Sequence, residues 1–396
     1  MTEKKRIVSI DIMRGLTLFL MLFVNDLYVR GVPSWMAHTG ADFDGMGLAD
    51  WVFPGFLFMV GMSVPFAVRS RLNQGDSSNR VCLHILMRTL SLLIIGVLML
   101  NAGRLNPEVS GIHKQVWAVL MYVSVFLIWN HYPQKPSLRK LFLGLRITGI
   151  AGLVLLVAFF RAGTPENPSW LQTGWWGILG LIGWGYLAAA LSYLFIGNRI
   201  WGIATVWMAF TGLNVLSAMG LTHFLNPLKP VLGVLISGNT PSIVLAGLVT
   251  SLVFQKFKNR GYKKMVFILL LMGLVALLSG FILRNWFILS KIKATPSWAM
   301  LCNGISLILF ALIFLVADVL KKIRWASLFQ WVGQNSLTTY LAPDIVYYTI
   351  WGLGLPVFFY KQDASQWLAV AGSLVWAFLM VLFATLLSKM RIRLKL

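Results

Sequence analysis

The chain has 396 residues, of which 58% are apolar or aromatic and 12% charged, about half the charged share of an ordinary soluble domain. With a mean hydropathy of +0.77, too few charges are present to cover a soluble surface, so the composition implies a single membrane-embedded body over 1–396. The 34 Lys and Arg against 12 Asp and Glu lie in short clusters between apolar runs, not along one face. That pattern argues against nucleic acid as a partner and makes membrane topology the first explanation of the charge.

Apolar runs near the roughly 20 residues that about 30 Å of hydrocarbon requires fall at about 16–30, 51–68, 83–101, 116–130, 142–160, 174–196, 200–221, 236–255, 265–284, 298–317, 333–353 and 367–388. They predict an all-α, polytopic helical bundle of about twelve transmembrane helices. Ten or eleven are also compatible, because Val231–Ser237 reads as re-entrant and Gly185 and Gly202 blur two ends. Lys4-Lys5-Arg6 and the apolar run from Leu16 lack a small-residue cleavage site, so this stretch reads as a retained first span and not as a secretory signal. Arg69–Arg80, rich in Ser, Asn and Gly, reads as a mobile loop. Trp35, Trp51, Trp117, Trp129, Trp298 and Trp367, near span ends, read as an interfacial belt.

Placing the N-terminus in the cytoplasm assigns 25 of the 34 Lys and Arg to inner segments. The positive-inside rule therefore chooses N-in and C-in. Asp26, Asp42, Asp44 and Asp50 instead cluster in or beside the first outer loop, 31–50, and need another reason. Cys82 and Cys302 lie in or beside separate apolar runs and offer neither a disulfide framework nor a Cys-based metal site.

That loop is where chemistry is expected. His38 sits among carboxylates, one of which can orient Nδ1–H and leave Nε2 as a base, the arrangement that acyl transfer to an amine or hydroxyl requires. Asp42-x-Asp44-Gly45 is faintly like a calcium loop but lacks the twelve-residue pattern with its terminal Glu, so no metal is expected. His113 and His223 read as solvated loop histidines. Asn25 lies eleven residues past Arg14, roughly 16 Å along a helix; it either marks the interface or lends a carboxamide N–H to polarise a carbonyl. At the other end of the same helix, Asp11 and Arg14 are a local i,i+3 ion pair or, with Arg88, part of a phosphate-binding mouth. Asp344, next to Pro343 inside an apolar run, is the clearest intramembrane anomaly. Taken alone, it favours a proton-coupled secondary transporter of a small polar solute.

The residues Ser9-x-Asp11-x-x-Arg14-Gly15, Leu22-Phe23-Val24-Asn25, His38, Ala49-Asp50-Trp51-Val52-Phe53-Pro54 and Phe56-Leu57-Phe58-x-x-Gly61-x-Ser63 follow one another in order. Later come Lys291 with Thr295-Pro296-Ser297, and Gly333-x-Asn335-Ser336-Leu337-x-x-Tyr340. In these blocks the chain resembles the transmembrane acetyltransferase family of heparan-α-glucosaminide N-acetyltransferase, in particular its short bacterial relatives that lack the luminal domain. The resemblance implies transfer of an acetyl group from cytoplasmic acetyl-CoA to a glucosamine-type amine on the periplasmic side of a bacterial inner membrane. It implies His38 and Asn25 as catalytic residues. Arg14, Arg88 and Asp11 are then expected around the acetyl-CoA, and Asp42, Asp44, Asp50 and Ser297 around an amino-sugar or glycan acceptor. Membrane lipid is the surrounding partner, and a homodimer is compatible with the reading. Against the family pattern, the loop between Asn25 and His38 is a little longer, the Gln-Arg pair after the third span is not evident around His113–Leu120, Ala294 replaces a Trp, and 174–221 reads as an inserted helix pair.

Overall fold

The computed structural model describes residues 7–257 and 261–396. Lys4, Lys5, Arg6, Lys258 and Arg260, counted above among the inner-side bases, lie outside the described residues. Helices dominate. The first stretch holds α1 (Val8–Asp26), α2 (Leu48–Asn73), α3 (Ser78–Ala102), the single turn α4 (Pro107–Ser110), α5 (Lys114–Trp129) and α6 (Arg139–Ala158). There follow α7 (Gly177–Ile196), α8 (Ile200–Ala218), α9 (Lys229–Ser237), α10 (Asn239–Phe257) and α11 (Tyr262–Leu283). The last are α12 (Pro296–Phe314), α13 (Ser327–Gln334), α14 (Ser336–Leu353) and α15 (Gln366–Lys389). A two-residue antiparallel pair, β1 (Ala162–Gly163) with β2 (Pro168–Ser169), closes the loop after α6.

Among the described residues, ten helical segments are long and apolar enough to cross a membrane. The chain is therefore an all-α, multi-pass membrane protein. Each of the twelve apolar runs is largely helix. The two outside the ten are α5, sixteen residues long, and α14, which carries Pro343 and Asp344. The stretch read as re-entrant is the short helix α9, ended by Gly238 at φ 67°, after which α10 begins.

Three expectations are corrected. The first span, placed at 16–30 by its apolar run, is the helix Val8–Asp26, with Asp11 in its first turn and Arg14 in its second. They can lie there because they pair at 2.8 Å. The Asp318 carboxylate also accepts from the backbone N–H groups of Val8 and Ser9, which begin the helix without intrahelical partners. Arg69–Arg80 is mostly helix and not a mobile loop: α2 runs to Asn73 and α3 starts at Ser78. Ser77 caps α3, and Arg71 and Asp76 pair at 3.2 Å across the turn. Trp51, Trp117 and Trp298 are buried packing residues and not a belt. The indole N–H groups of Trp51 and Trp117 donate to Ser306 Oγ and to the Leu156 carbonyl. Trp35 and Trp367 are exposed.

Small residues let the central helices meet backbone to backbone. A Cβ added to Gly333 of α13 would collide with the Asp11 carbonyl oxygen of α1, and one added to Gly15 would collide with the Phe329 carbonyl oxygen. The helix pair expected as an insertion is α7 and α8; α7 packs on α3, α10 and α2, and α8 on α10 and α12.

Candidate active site

At one end of the bundle the connection 27–47 folds against the connection 284–295. Asp50, in the first turn of α2, organises the first of these. Its Oδ2 accepts from the N–H of Gly47, the residue before α2, at 3.0 Å, and from the N–H and Oγ1 of Thr39 at 3.1 and 2.9 Å. Its Oδ1 is 2.8 Å from His38 Nδ1. A carboxylate only accepts, so this contact assigns the ring proton to Nδ1 and leaves the Nε2 lone pair available. Asp50 is buried, while the His38 side chain is 41% exposed. The pairing is that of a base held by an orienting carboxylate.

The second connection supplies cations. Arg284 Nε is 3.0 Å from Asp44 and Lys293 Nζ 2.6 Å from Asp42. The Lys293 hydrogen bond and charge hold Asp42 below the usual carboxylate range. The Leu289 N–H does the same for Asp44, with Arg284 adding to it against the effect of burial. Asp44 thus ties the two connections together, and Ser290 Oγ adds a bond to the Ala41 carbonyl. Ser297 is buried and donates to the Ile288 carbonyl at 2.9 Å. Lys291 Nζ lies 3.1 Å from His38 Nδ1 and 3.5 Å from Nε2.

Asn25 is placed elsewhere. It is exposed on the last turn of α1 and lines a void of about 50 Å³ with Tyr340, Asp344, Tyr347 and Trp376. Among the described residues no hydrogen bond joins it to His38. Asp344 is hydrogen-bonded by the Tyr122 hydroxyl, and Asp26 by Tyr347 and Tyr360 and by Lys361 at 2.7 Å.

Toward the Arg14 end lies a larger cavity of about 520 Å³, which shares Tyr340 with the small void. Arg14, Arg71, Arg88 and Lys395 bring four cationic side chains to its lining, with Ser63, Tyr186 and the break between α13 and α14 at Asn335 and Ser336. Arg14 is held by Asp11, by Ser63 Oγ at 3.2 Å and by the Gly333 carbonyl at 2.6 Å. Arg88 lies over the Tyr186 ring at 4.7 Å, and its Nε is buried with no hydrogen-bond partner among the described residues. Asp11 does not line this cavity; it reaches it through Arg14. Arg14 and Arg88, paired from sequence, do share one cavity. Arg71 and Lys395 join them without a sequence signal of their own, whereas the Gly333–Tyr340 segment was marked by the later block of the motif.

A multi-pass helical membrane protein with an oriented histidine at one end and a basic cavity toward the other is the class that the fold and these side chains define. The family described as Domain of unknown function (DUF5009) matches residues 6–213, and the chain belongs to it. The chain is also related to heparan-alpha-glucosaminide N-acetyltransferase. It is 31% identical to that of Mus musculus over 154 residues, 37% of this chain and 23% of the relative. It is 38% identical to that of Homo sapiens over 120 residues, 30% of this chain and 18% of the relative. The matches therefore span about a fifth of the length of these curated relatives.

Proposed function

We propose that the protein is a transmembrane acetyltransferase that uses acetyl-CoA on the cytoplasmic side and acetylates an amine, of the amino-sugar type, on the periplasmic side of a bacterial inner membrane. The single observation that carries this reading is the His38–Asp50 pair: an oriented base at the end of the bundle opposite a cavity rich in cations. The relatives' name supplies the reaction class.

Arg14, Arg71, Arg88 and Lys395 would hold the nucleotide phosphates. The buried Arg88 Nε fits an anionic ligand, since a charged donor without an acceptor is costly. Acetyl-CoA supplies an activated thioester when bound. His38 Nε2 takes the proton of the acceptor amine as nitrogen attacks, or itself carries the acetyl group between two half-reactions. Asp50 keeps the ring in the productive tautomer in either case. Asp42, exposed and paired with Lys293, lies on the face that an aminated sugar would approach, while buried Asp50 acts only through His38 and the loop. The part that the resemblance gives to Asn25 has no geometric support, since its side chain lines the small void near Asp344.

A transporter is the second reading, and half-buried Asp344 with its Tyr122 partner is the observation that favours it. Both readings meet one experiment on the purified protein in detergent. CoA should raise the melting temperature by mass action, less so at high salt, and Arg14→Ala and Arg88→Ala should diminish the shift. His38→Ala should keep that shift but lose roughly 10²- to 10⁴-fold in transfer of labelled acetyl to glucosamine or other amino sugars, while His113→Ala and His223→Ala stay active. Wild-type turnover in His38→Ala would refute the catalytic assignment. No CoA-dependent shift at any ionic strength would favour the transporter.

A further inference from the structure

Lys291 is the group that the structure adds to the His38 ring. The other cations of its connection are neutralised, Arg284 by Asp44 and Lys293 by Asp42. Lys291 forms no ion pair with a carboxylate among the described residues; its polar contacts there are the two nitrogens of His38. Both Asp50 oxygens are already engaged by His38, Thr39 and Gly47. Nδ1 gives its proton to Asp50, so the ammonium, nearer Nδ1 than Nε2, lies beside the ring with Nε2 at the limit of hydrogen-bond reach. A half-buried ammonium so placed has donors to spare next to His38.

The turn that carries it is strained. Ala294, three residues on, sits at φ 50°, in the left-handed region that a residue with a Cβ adopts at a cost. Its carbonyl accepts from two asparagine side chains, Asn214 Nδ2 of α8 at 3.0 Å and Asn239 Nδ2 of α10 at 2.9 Å. Both asparagines are buried. Ser290 and Thr295 close the turn between them, with the Ser290 N–H donating to Thr295 Oγ1 and the Thr295 N–H to the Ser290 carbonyl. Two helices therefore hold a strained turn whose ammonium touches the histidine. This is preorganisation of charge beside the histidine.

Resting on the acetyltransferase reading, we infer that Lys291 is a second catalytic group, whose ammonium donates a hydrogen bond to the acetyl oxygen as negative charge develops on it beside His38. When the amine nitrogen, or His38 Nε2 in the covalent route, attacks the carbonyl carbon, a C–N bond forms and the carbonyl π pair moves to oxygen. Lys291 stabilises that oxygen without giving up its proton. Collapse of the intermediate restores C=O and breaks the C–S bond, with the electron pair leaving on sulfur; in the covalent route the amine then attacks the acetyl carbon, and a second collapse breaks the C–Nε2 bond, returns the electron pair to Nε2 and passes the amine proton to it. In direct transfer the amine proton goes to Nε2, and the thiolate is released to be protonated from solvent. Asn214 and Asn239 are positioning residues that act through the turn.

Burial works against the charged form of this group, and the neighbouring carboxylate works for it. Burial pushes Lys291 below the usual lysine range, and the Asp50 carboxylate opposes this. The titratable groups around it are His38, Asp50 and the buried Cys302 thiol of α12, with the Asp42–Lys293 and Asp44–Arg284 pairs on the same connections. The ammonium is lost as pH rises through this lowered value, so the activity should show an alkaline limb below the pH at which an ordinary lysine titrates.

The test uses the full chain in detergent with labelled acetyl-CoA and an amino sugar, comparing wild type, His38→Ala, Lys291→Met and Lys291→Arg. Lys291→Met should lose roughly 10²- to 10³-fold in kcat and keep the CoA-dependent melting shift, which shows that it is folded. Lys291→Arg should recover part of the rate and move the alkaline limb to higher pH, because arginine does not titrate there. Wild-type kcat in Lys291→Met, with His38→Ala inactive, would overturn the role of Lys291 and leave the acetyltransferase reading standing. A Lys291→Arg protein as slow as Lys291→Met, or one with an unmoved alkaline limb, would also overturn it. A wild type that transfers acetyl to no acceptor would overturn the reading itself, and this inference with it.

Discussion

Replacing Asp50 by Asn keeps the shape of the side chain and removes its charge and one acceptor. Four donors converge on the carboxylate: the His38 ring, the Thr39 amide and hydroxyl, and the Gly47 amide. A carboxamide can accept only through its oxygen. If that oxygen faces Thr39 and Gly47, its NH2 group meets His38 and selects the other tautomer, with the proton on Nε2 and no base toward the acceptor. If it faces His38, the two backbone amides confront a donor. Hydrogen bonds to a charged group are worth about 1.5–3 kcal/mol each, and loss of an N-terminal cap costs about 0.5–2 kcal/mol, so a net destabilisation of about 2–4 kcal/mol is expected. Loss of the orienting acid in an Asp-His pair costs up to about 10⁴-fold in rate, and roughly 10²- to 10⁴-fold is expected in kcat here. Labelled-acetyl turnover and the melting curve with and without CoA measure both. An Asp50→Asn protein with wild-type kcat and an unchanged melting temperature would refute the claim that this carboxylate orients the base.

Two further outcomes follow from the fold. Gly333→Ala places a Cβ against the Asp11 backbone, so a loss of about 1–3 kcal/mol is expected in thermal unfolding, whereas Gly144→Ala, with open space around its Cβ, should be neutral or better. In intact cells, single cysteines at Thr39 and Ser77 in a Cys-free background should label from opposite sides of the membrane; labelling from one side would refute the N-in, C-in arrangement.

Much of this is legible in the sequence, because the signals that carry it are local. Apolar runs report helices through length alone, and His38 stands twelve residues from the Asp50 that orients it. Arg14 and Arg88 can be paired because each is an isolated base near a span end. What stays hidden is what the fold assembles over distance. Lys291 lies 253 residues from His38; the block it forms with Thr295-Pro296-Ser297 marks the segment but not that Lys291 meets His38 while Lys293 turns to Asp42. The apolar run starts the first span too late because a hydropathy scan counts Asp11 and Arg14 as two charges, while in the helix they neutralise each other. Trp117 looks interfacial by position, yet its N–H finds the Leu156 carbonyl on α6, a partner that pattern alone does not show. Resemblance groups Asn25 with His38, whereas Asn25 lines a small void that His38 does not border.

The basic cavity has two unlike walls. Along α1 and α13 the glycines at 15 and 333 bring main chain against main chain, and parting them would break contact along the whole crossing at once. Opposite, the segment Leu394–Leu396 borders the cavity. It is held by the bridge of Leu394 to Asn130, by a hydrogen bond from the Leu394 N–H to Thr338 Oγ1 and by another from the Lys395 N–H to the Trp129 carbonyl. An edge tied by a few such bonds opens at low free energy, while interlocked helices do so only near global unfolding. Amide exchange should therefore be asymmetric around the cavity, fast along that edge and slow along the glycine seam, and a bulky ligand would enter past the side that exchanges first.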